Sequence, residues 1–344
     1  MSLRLLSFRI ACCFCAVIAF DGTDTSAYAE AIPTHCGATD VLKKLAKDEP
    51  AAHQKIIAAA KTVQNGEGML WRIEKDGVQP SYLFGTMHST DPRLDGQMRR
   101  IQPLIARSKS VAVEISELVT PGLKEKASLE IAKAGLATSG NALEGLHPLQ
   151  NRTLVEVSLL QRGISLERAQ RLDTWFLIVA LSSPQCERER RALGMISVDE
   201  KIGIAGVKTG KNPIGLEKLE DQIAVLRKIG GFNPSIALIE TARSAKHIAD
   251  MRETMTQAYI GDRLDTLTVL SKVSEILSGE APGAESRRFT RSLLDDRNLV
   301  MRDQSRSLLE KGGAFIAVGA LHLPGEAGLV NLYRQAGYRV KVVK

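Results

Sequence analysis

Apolar positions recur with two different periods along this chain. Over 38–63 the spacing of Val41, Leu42, Leu45, Ile56, Ile57 and Ala60 is helical. Asp40 is a plausible cap at the start, and Pro50 divides the segment into two helices. Leu70-Trp-Arg-Ile-Glu74 then alternates, Asp76-Gly77 supplies a turn, and Tyr82-Leu-Phe84 resumes the apolar pattern. That sequence predicts a hairpin whose second strand ends at His88. Residues 95–108 read as a helix with Met98, Ile101, Leu104 and Ile105 on one face, and Ser110-Val-Ala-Val-Glu-Ile115 reads as a strand. Strand, helix and strand in this order predict a right-handed crossover between parallel neighbours, with His88 and Glu114 emerging at one sheet edge.

From 120 to about 210 the pattern is mostly helical, with stripes at Leu154, Val157 and Leu160 and again at Trp175, Phe176, Ile178 and Val179. A short strand at 211–216 leads to Glu217. Helices follow over 217–230, 234–258, 262–278 and 287–311, then a strand at 314–318, a helix from 325 and a last strand at 338–343. No repeat of fixed period and no Pro/Ser-rich linker interrupts the order. Residues 30–344 therefore read as one α/β domain with a mostly helical insertion at about 120–210.

The first residues change that picture only by leaving it. Arg4 and Arg9, an apolar run from Ile10 to Phe20 and the small residues of Ala27-Tyr-Ala29 form an export signal over 1–29, with the mature chain starting at Glu30. The run is too short for a membrane anchor, and no later segment is long and apolar enough to span a bilayer. A periplasmic or secreted location follows. Cys12, Cys13 and Cys15 leave with the signal, so Cys36 and Cys186 remain either as a disulfide or as two free thiols. The net charge of +7 is spread over scattered basic pairs, and 4% aromatics supply no stacking platform, which argues against a nucleic-acid partner.

The candidate chemistry lies at two strand ends. Gly85-Thr-Met-His88 and Gly319-Ala-Leu-His322 each close an apolar run, the place where α/β folds put ligands. One such unit is a weak signal and two are stronger; the alternative is a pair of strand-end histidines satisfied by hydrogen bonds. Glu114 sits inside an apolar run, where burial is costly unless the carboxylate is paired or binds an ion. Two imidazoles and a carboxylate suit Zn²⁺, Mn²⁺ or Co²⁺. Glu217 is either a general base or second ligand, or a charge at a helix N-terminus. Arg297 and Asn298 stand beside Asp295 and Asp296, a pattern that reads equally as a surface ion-pair cluster. Tyr82, Thr86 and Asp91 surround the first motif as supporting groups. His35, His53, His147 and His247 have no partner at useful spacing. There is no G-x-S-x-G elbow, P-loop or dinucleotide fingerprint.

Together with Val113-Glu114, Gly215-Leu-Glu217, Arg297-Asn298, Gly319-Ala-Leu-His-Leu-Pro-Gly325 and Gly337-Tyr-Arg-Val340, the two units give a chain that resembles the TraB/GumN family from about Cys36 to the C-terminus. Leu321 stands where many members have glycine, a departure that leaves His322 in place. That family is related to Tiki-type metal-dependent proteases and, more distantly, to erythromycin esterases and ChaN-like haem-binding proteins. The resemblance implies a central mixed, largely parallel sheet flanked by helices, with His88, His322 and Glu114 as the functional set. It also implies that Arg297 orients Glu114 or stabilises an oxyanion. The expected function is an exported metal-dependent hydrolase acting on a peptide or amide bond, with Glu217 or Glu114 activating water. The alternatives are a binding protein for a peptide, glycan or signal molecule, and a haem- or iron-handling protein.

Overall fold

The computed structural model describes residues 36–344 except 139, 230, 232 and 282, so the segment expected to be an export signal and His35 lie outside the described residues. The architecture is α/β: one mixed six-stranded sheet flanked by helices. The strands are β1 (Leu70–Glu74), β2 (Ser81–Thr86), β3 (Ser110–Val113), β4 (Ile214–Gly215), β5 (Ala314–Gly319) and β6 (Arg339–Val342). Their order across the sheet is β4-β3-β5-β2-β1-β6.

The β1–β2 hairpin forms where the pattern predicts it, with Leu70 opposite Phe84 and Ile73 opposite Ser81. Four strands, β4, β3, β5 and β2, run parallel to one another, while β1 pairs antiparallel with both β2 and β6. The centre of the sheet is β5, whose Ala314 to Val318 are all buried, as expected for a parallel strand covered on both faces. The edges are short β4 and β6, the latter exposing Arg339 and Lys341, features that blunt further strand pairing.

One expectation fails in an informative way. β2 and β3 are joined by the helix Asp95–Arg107 but are not neighbours, because β5 from the far end of the chain pairs with both. Local order could not reveal this, since strand–helix–strand reads the same with or without a later strand slipped between. The consequence is that Thr86 lies opposite Gly319 and Val113 opposite Ala317. The carboxyl ends of four parallel strands thus share one edge, and each leads to a candidate residue: His88 after β2, His322 after β5, Glu114 after β3 and Glu217 after β4.

Helices close over that edge. Asp40 caps the helix Val41–Asp48, and Pro50 opens the next one, Pro50–Lys61. Backbone N–H groups of Thr39 and Val41 donate to Asp250 and Thr254 of the long helix Pro234–Ile260. The same helix sends Tyr259, fully buried, to donate its hydroxyl to the Gly85 carbonyl at 2.8 Å. The segment expected as a helix over 287–311 is helical from Ala284 to Lys311 but contains a π-helical turn, Arg291–Asp295. Among the described residues no helix is long and apolar enough to cross a membrane.

Cys36, just before the first helix, is joined to Cys186 of the helix Gln185–Ala192 in a disulfide with Cα atoms 5.4 Å apart and a sequence separation of 150. Denatured, unreduced mature protein should therefore show no titratable thiol. Reduction should destabilise it by up to about 5 kcal/mol in the chain-entropy account of so long a loop. Two free thiols per chain would contradict the pairing.

Candidate functional site

The glycines of the two Gly-x-x-His units are explained by what stands against them. A side chain at Gly85 would begin 2.9 Å from the Ala320 Cα, in the second unit, and one at Gly319 would begin 3.0 Å from the Glu114 Oε1. Each glycine leaves room for the neighbouring strand's contribution to the edge. The point where a Gly319 Cβ would stand lies 3.5 Å from His322 Cδ2 and 4.0 Å from His88 Nε2. Both histidines and Glu114 therefore surround one small volume despite their distance in sequence.

Each imidazole is held from behind through Nδ1. His88 Nδ1 donates to Asp199 Oδ2 at 2.9 Å, and Thr86 Oγ1 donates to the other oxygen of Asp199 at 2.5 Å. His322 Nδ1 donates to Asn298 Oδ1 at 2.7 Å, and the Asn298 amide is turned that way because its Nδ2 donates to the Ala327 carbonyl at 2.8 Å. Both rings are left with Nε2 free of these bonds; that of His322 is 3.9 Å from Glu114 Oε1.

Glu114 is braced on both oxygens. The Gly319 N–H donates to Oε1, and Arg297 Nη2 donates to Oε2 at 2.8 Å. Arg297 also binds Glu217 through Nε and Nη2, at 2.6 Å for the closest contact. Backbone geometry sets the two carboxylates side by side, since the Glu217 N–H donates to the Glu114 carbonyl. Arg297 is 4% exposed, so the surface ion-pair reading of this arginine is wrong: its partners come from two strand ends far away in sequence. Glu217 precedes the helix Leu219–Leu226 and spends both oxygens on Arg297, which removes the helix-capping reading as well.

Electrostatics separates the groups. Burial alone would raise Glu114, but Arg297, His322, His88 and the Gly319 N–H outweigh it and hold the pKa at about 2. Burial raises Glu217 against the pull of Arg297, with Glu114 adding to the effect. Burial, joined by the charge of Arg297, lowers His322 to about 3, so its imidazole is neutral across the ordinary pH range. For His88 burial works downward, but the charge and hydrogen bond of Asp199 and the charge of Glu114 raise the pKa.

Two cavities of about 50 and 40 Å³ meet at His88 and Glu114. The larger is walled mainly by apolar side chains and also reaches His322; the smaller is walled by Asp199, Glu200, Ser197 and Gln222 among others. Beneath the His88 loop, Glu187 accepts from Ser89 Oγ and the Thr90 N–H, and Asp91 pairs with Arg93 and Arg190. Thr86 thus supports the site directly and Asp91 supports its loop. Tyr82 does neither: it lies near the opposite end of β2, where its hydroxyl accepts from Arg107. His53, His147 and His247 line neither cavity. Asp199 went unread in the sequence because Ser197-Val-Asp-Glu200 is a capping box, which accounts for Ser197 and Glu200 locally and makes the intervening acid look like part of a solvated helix start.

The donor types fit a divalent ion. Two neutral-capable imidazole nitrogens and a carboxylate face one volume, and Nδ1 hydrogen bonds to oxygen fix ring tautomer and orientation as in many histidine-metal sites. As placed, no three His, Cys, Asp or Glu side chains among the described residues are close enough to hold an ion together. Glu114 already has a hydrogen bond on each oxygen, so an ion would share that carboxylate with Arg297 and Gly319.

Comparison with known families matches the TraB/PrgY/gumN family model to residues 69–342. The chain belongs to the TraB/PrgY/gumN family. The match runs from the residue before β1 to the last residue of β6, and so covers the whole sheet and all four strand-end residues. No curated protein and no solved structure matches the chain.

Arg297 is the test of this arrangement. Arg297→Leu leaves two buried carboxylates facing each other and should cost about 3–5 kcal/mol at neutral pH. In the wild type, the contribution of Glu114 is present above its unfolded pKa near 4.5 and is lost only as pH falls towards about 2. In the variant the carboxylates take up protons more readily, so the deficit should shrink as pH falls from 7 to 5. Denaturant unfolding at the two pH values measures this; an equal deficit at both would contradict the shared-arginine account.

Proposed function

We propose that this chain is an exported metal-dependent hydrolase acting on peptide or amide bonds, with Mn²⁺, Co²⁺ or Zn²⁺ held by His88, His322 and Glu114. One observation carries the reading: two histidines from neighbouring strand ends have Nδ1 anchored to an oxygen and keep Nε2 for the volume beside Glu114. Such anchoring orients a ligand and raises its basicity. Charge supports it as well. Glu114 and Glu217 share the guanidinium of Arg297, and Asp199 stands behind His88, a concentration of carboxylates whose negative charge a cation would offset.

A divalent ion there would supply Lewis acidity towards a carbonyl and a water acidic enough to attack at neutral pH. The chain's own residues do the rest. A carboxyl with a pKa of about 2 is suited to remain an ionised ligand. Arg297 holds that carboxylate, and Glu217, which lines neither cavity, holds Arg297; this replaces the water-activating role for Glu217 with a positioning one. Asp199 accepts from His88 Nδ1 and so holds that ring with Nε2 left for the ion. The export signal over 1–29 and the Cys36–Cys186 pair fit an oxidising compartment outside the cytoplasm.

Metal analysis of the purified mature chain should find about one divalent ion, lost in His88→Ala and His322→Ala. Asp199→Asn and Asn298→Ala should weaken binding by roughly 10–100-fold, the usual effect of removing an outer-shell partner. If the folded wild type takes up no ion by calorimetry at pH 7–8, where His322 is neutral, the hydrolase reading falls and a metal-free binding protein takes its place.

A further inference from the structure

We infer that the larger cavity is a recognition pocket for a small aliphatic group, and that the site favours amides carrying an alanine- or valine-sized side chain next to the reacting bond over those carrying an aromatic one. That a bond reacts there rests on the hydrolase reading; the pocket and its size do not.

The cavity is continuous with the candidate site, since His88, Glu114 and His322 form part of its wall. A substrate carbonyl beside these groups would have its neighbouring substituent within reach of the remaining wall, which is mostly apolar (Met87, Met255, Leu267, Leu293, Leu294 and Leu321) and also includes Arg252 and Thr86. Five segments contribute: the two Gly-x-x-His units, the long helix Pro234–Ile260, the helix Leu264–Leu270 and the π-helical turn Arg291–Asp295. The π turn is informative. Its wider winding accompanies two consecutive leucines, Leu293 and Leu294, both lining the cavity, while Arg297 and Asn298 one turn later reach Glu114 and His322. Single π turns inside helices recur at functional sites.

Size decides which apolar groups enter. The free volume is about 50 Å³. An apolar cavity of ~150 Å³ admits benzene, so this one is too small for a phenyl ring and suits a methyl or isopropyl group. The wall is set in packed structure: Leu293 is 1% exposed, Leu267 3%, and Met87 and Met255 6% each. Close-packed interiors yield little volume without cost. The smaller cavity on the other side of His88 and Glu114 sets Asp199, Glu200, Ser197 and Gln222 beside Val113, Ile115, Leu118 and Val119, so an apolar substituent there would have to lie against carboxylates.

The two methionines provide a direct readout on mature, metal-free protein labelled at the methionine methyls. Isobutyramide should shift the Met87 and Met255 resonances in a saturable way, and phenylacetamide at the same concentration should leave them in place. Leu294→Ala enlarges the wall and should improve phenylacetamide binding by roughly tenfold, the scale on which hydrophobic pockets discriminate; Leu321→Ala, at a second half-buried position, should act in the same direction. The inference is overturned if neither amide moves the two wild-type resonances, if phenylacetamide moves them as readily as isobutyramide, or if both variants leave the preference unchanged. Because this titration requires no metal, failure of metal binding with an intact isobutyramide response would remove the hydrolase reading alone.

Discussion

One buried guanidinium sets the terms for the rest of the site. Arg297 lies between Glu114 and Glu217, with hydrogen bonds to both and almost no contact with water. Without it, two carboxylates at adjoining strand ends would repel each other in a medium that screens charge poorly. With it, Glu114 remains ionised under burial and is held by the Gly319 N–H on its other oxygen. The next residue on the same helix, Asn298, fixes the His322 ring. Two consecutive side chains of one helix therefore orient two of the three proposed ligands, and the third, His88, is oriented independently by Asp199 from the helix Val198–Lys208.

This convergence depends on the sheet order. β5 completes the sheet between β2 and β3, which were made much earlier in the chain, and only then do Gly319 and His322 come against Glu114 and His88. The site is thus assembled by non-local pairing, of Tyr82 and Val111 with Phe315. Glycine at 85 and 319 is the local requirement that lets the strands meet so closely at that edge.

Much of this was legible in the sequence because local chemistry and global structure agree. Asp40 and Pro50 punctuate helices as their side chains require, the β1–β2 hairpin follows its alternation, and apolar runs broken at glycine do end at the sheet edge. What stayed hidden was non-local. Arg297 has two acidic neighbours in sequence, so its pairing looked local when it reaches two distant strand ends. Asp199 is embedded in a capping box that explains its surroundings without it. The place of β5 leaves no mark on the segment between β2 and β3, and the π turn at 291–295 interrupts an apolar pattern that reads as uninterrupted helix.

The central claim is that His88, Glu114 and His322 form one ligand set despite their separation in sequence. X-ray absorption at the metal edge of cobalt- or zinc-loaded mature protein tests it most directly. The account predicts a shell of nitrogen and oxygen donors near ~2.0–2.1 Å with the outer-shell scattering of two imidazoles, and loss of the bound ion in either single histidine variant. A shell with no imidazole scattering, or one unchanged by substituting His88 or His322, would contradict it.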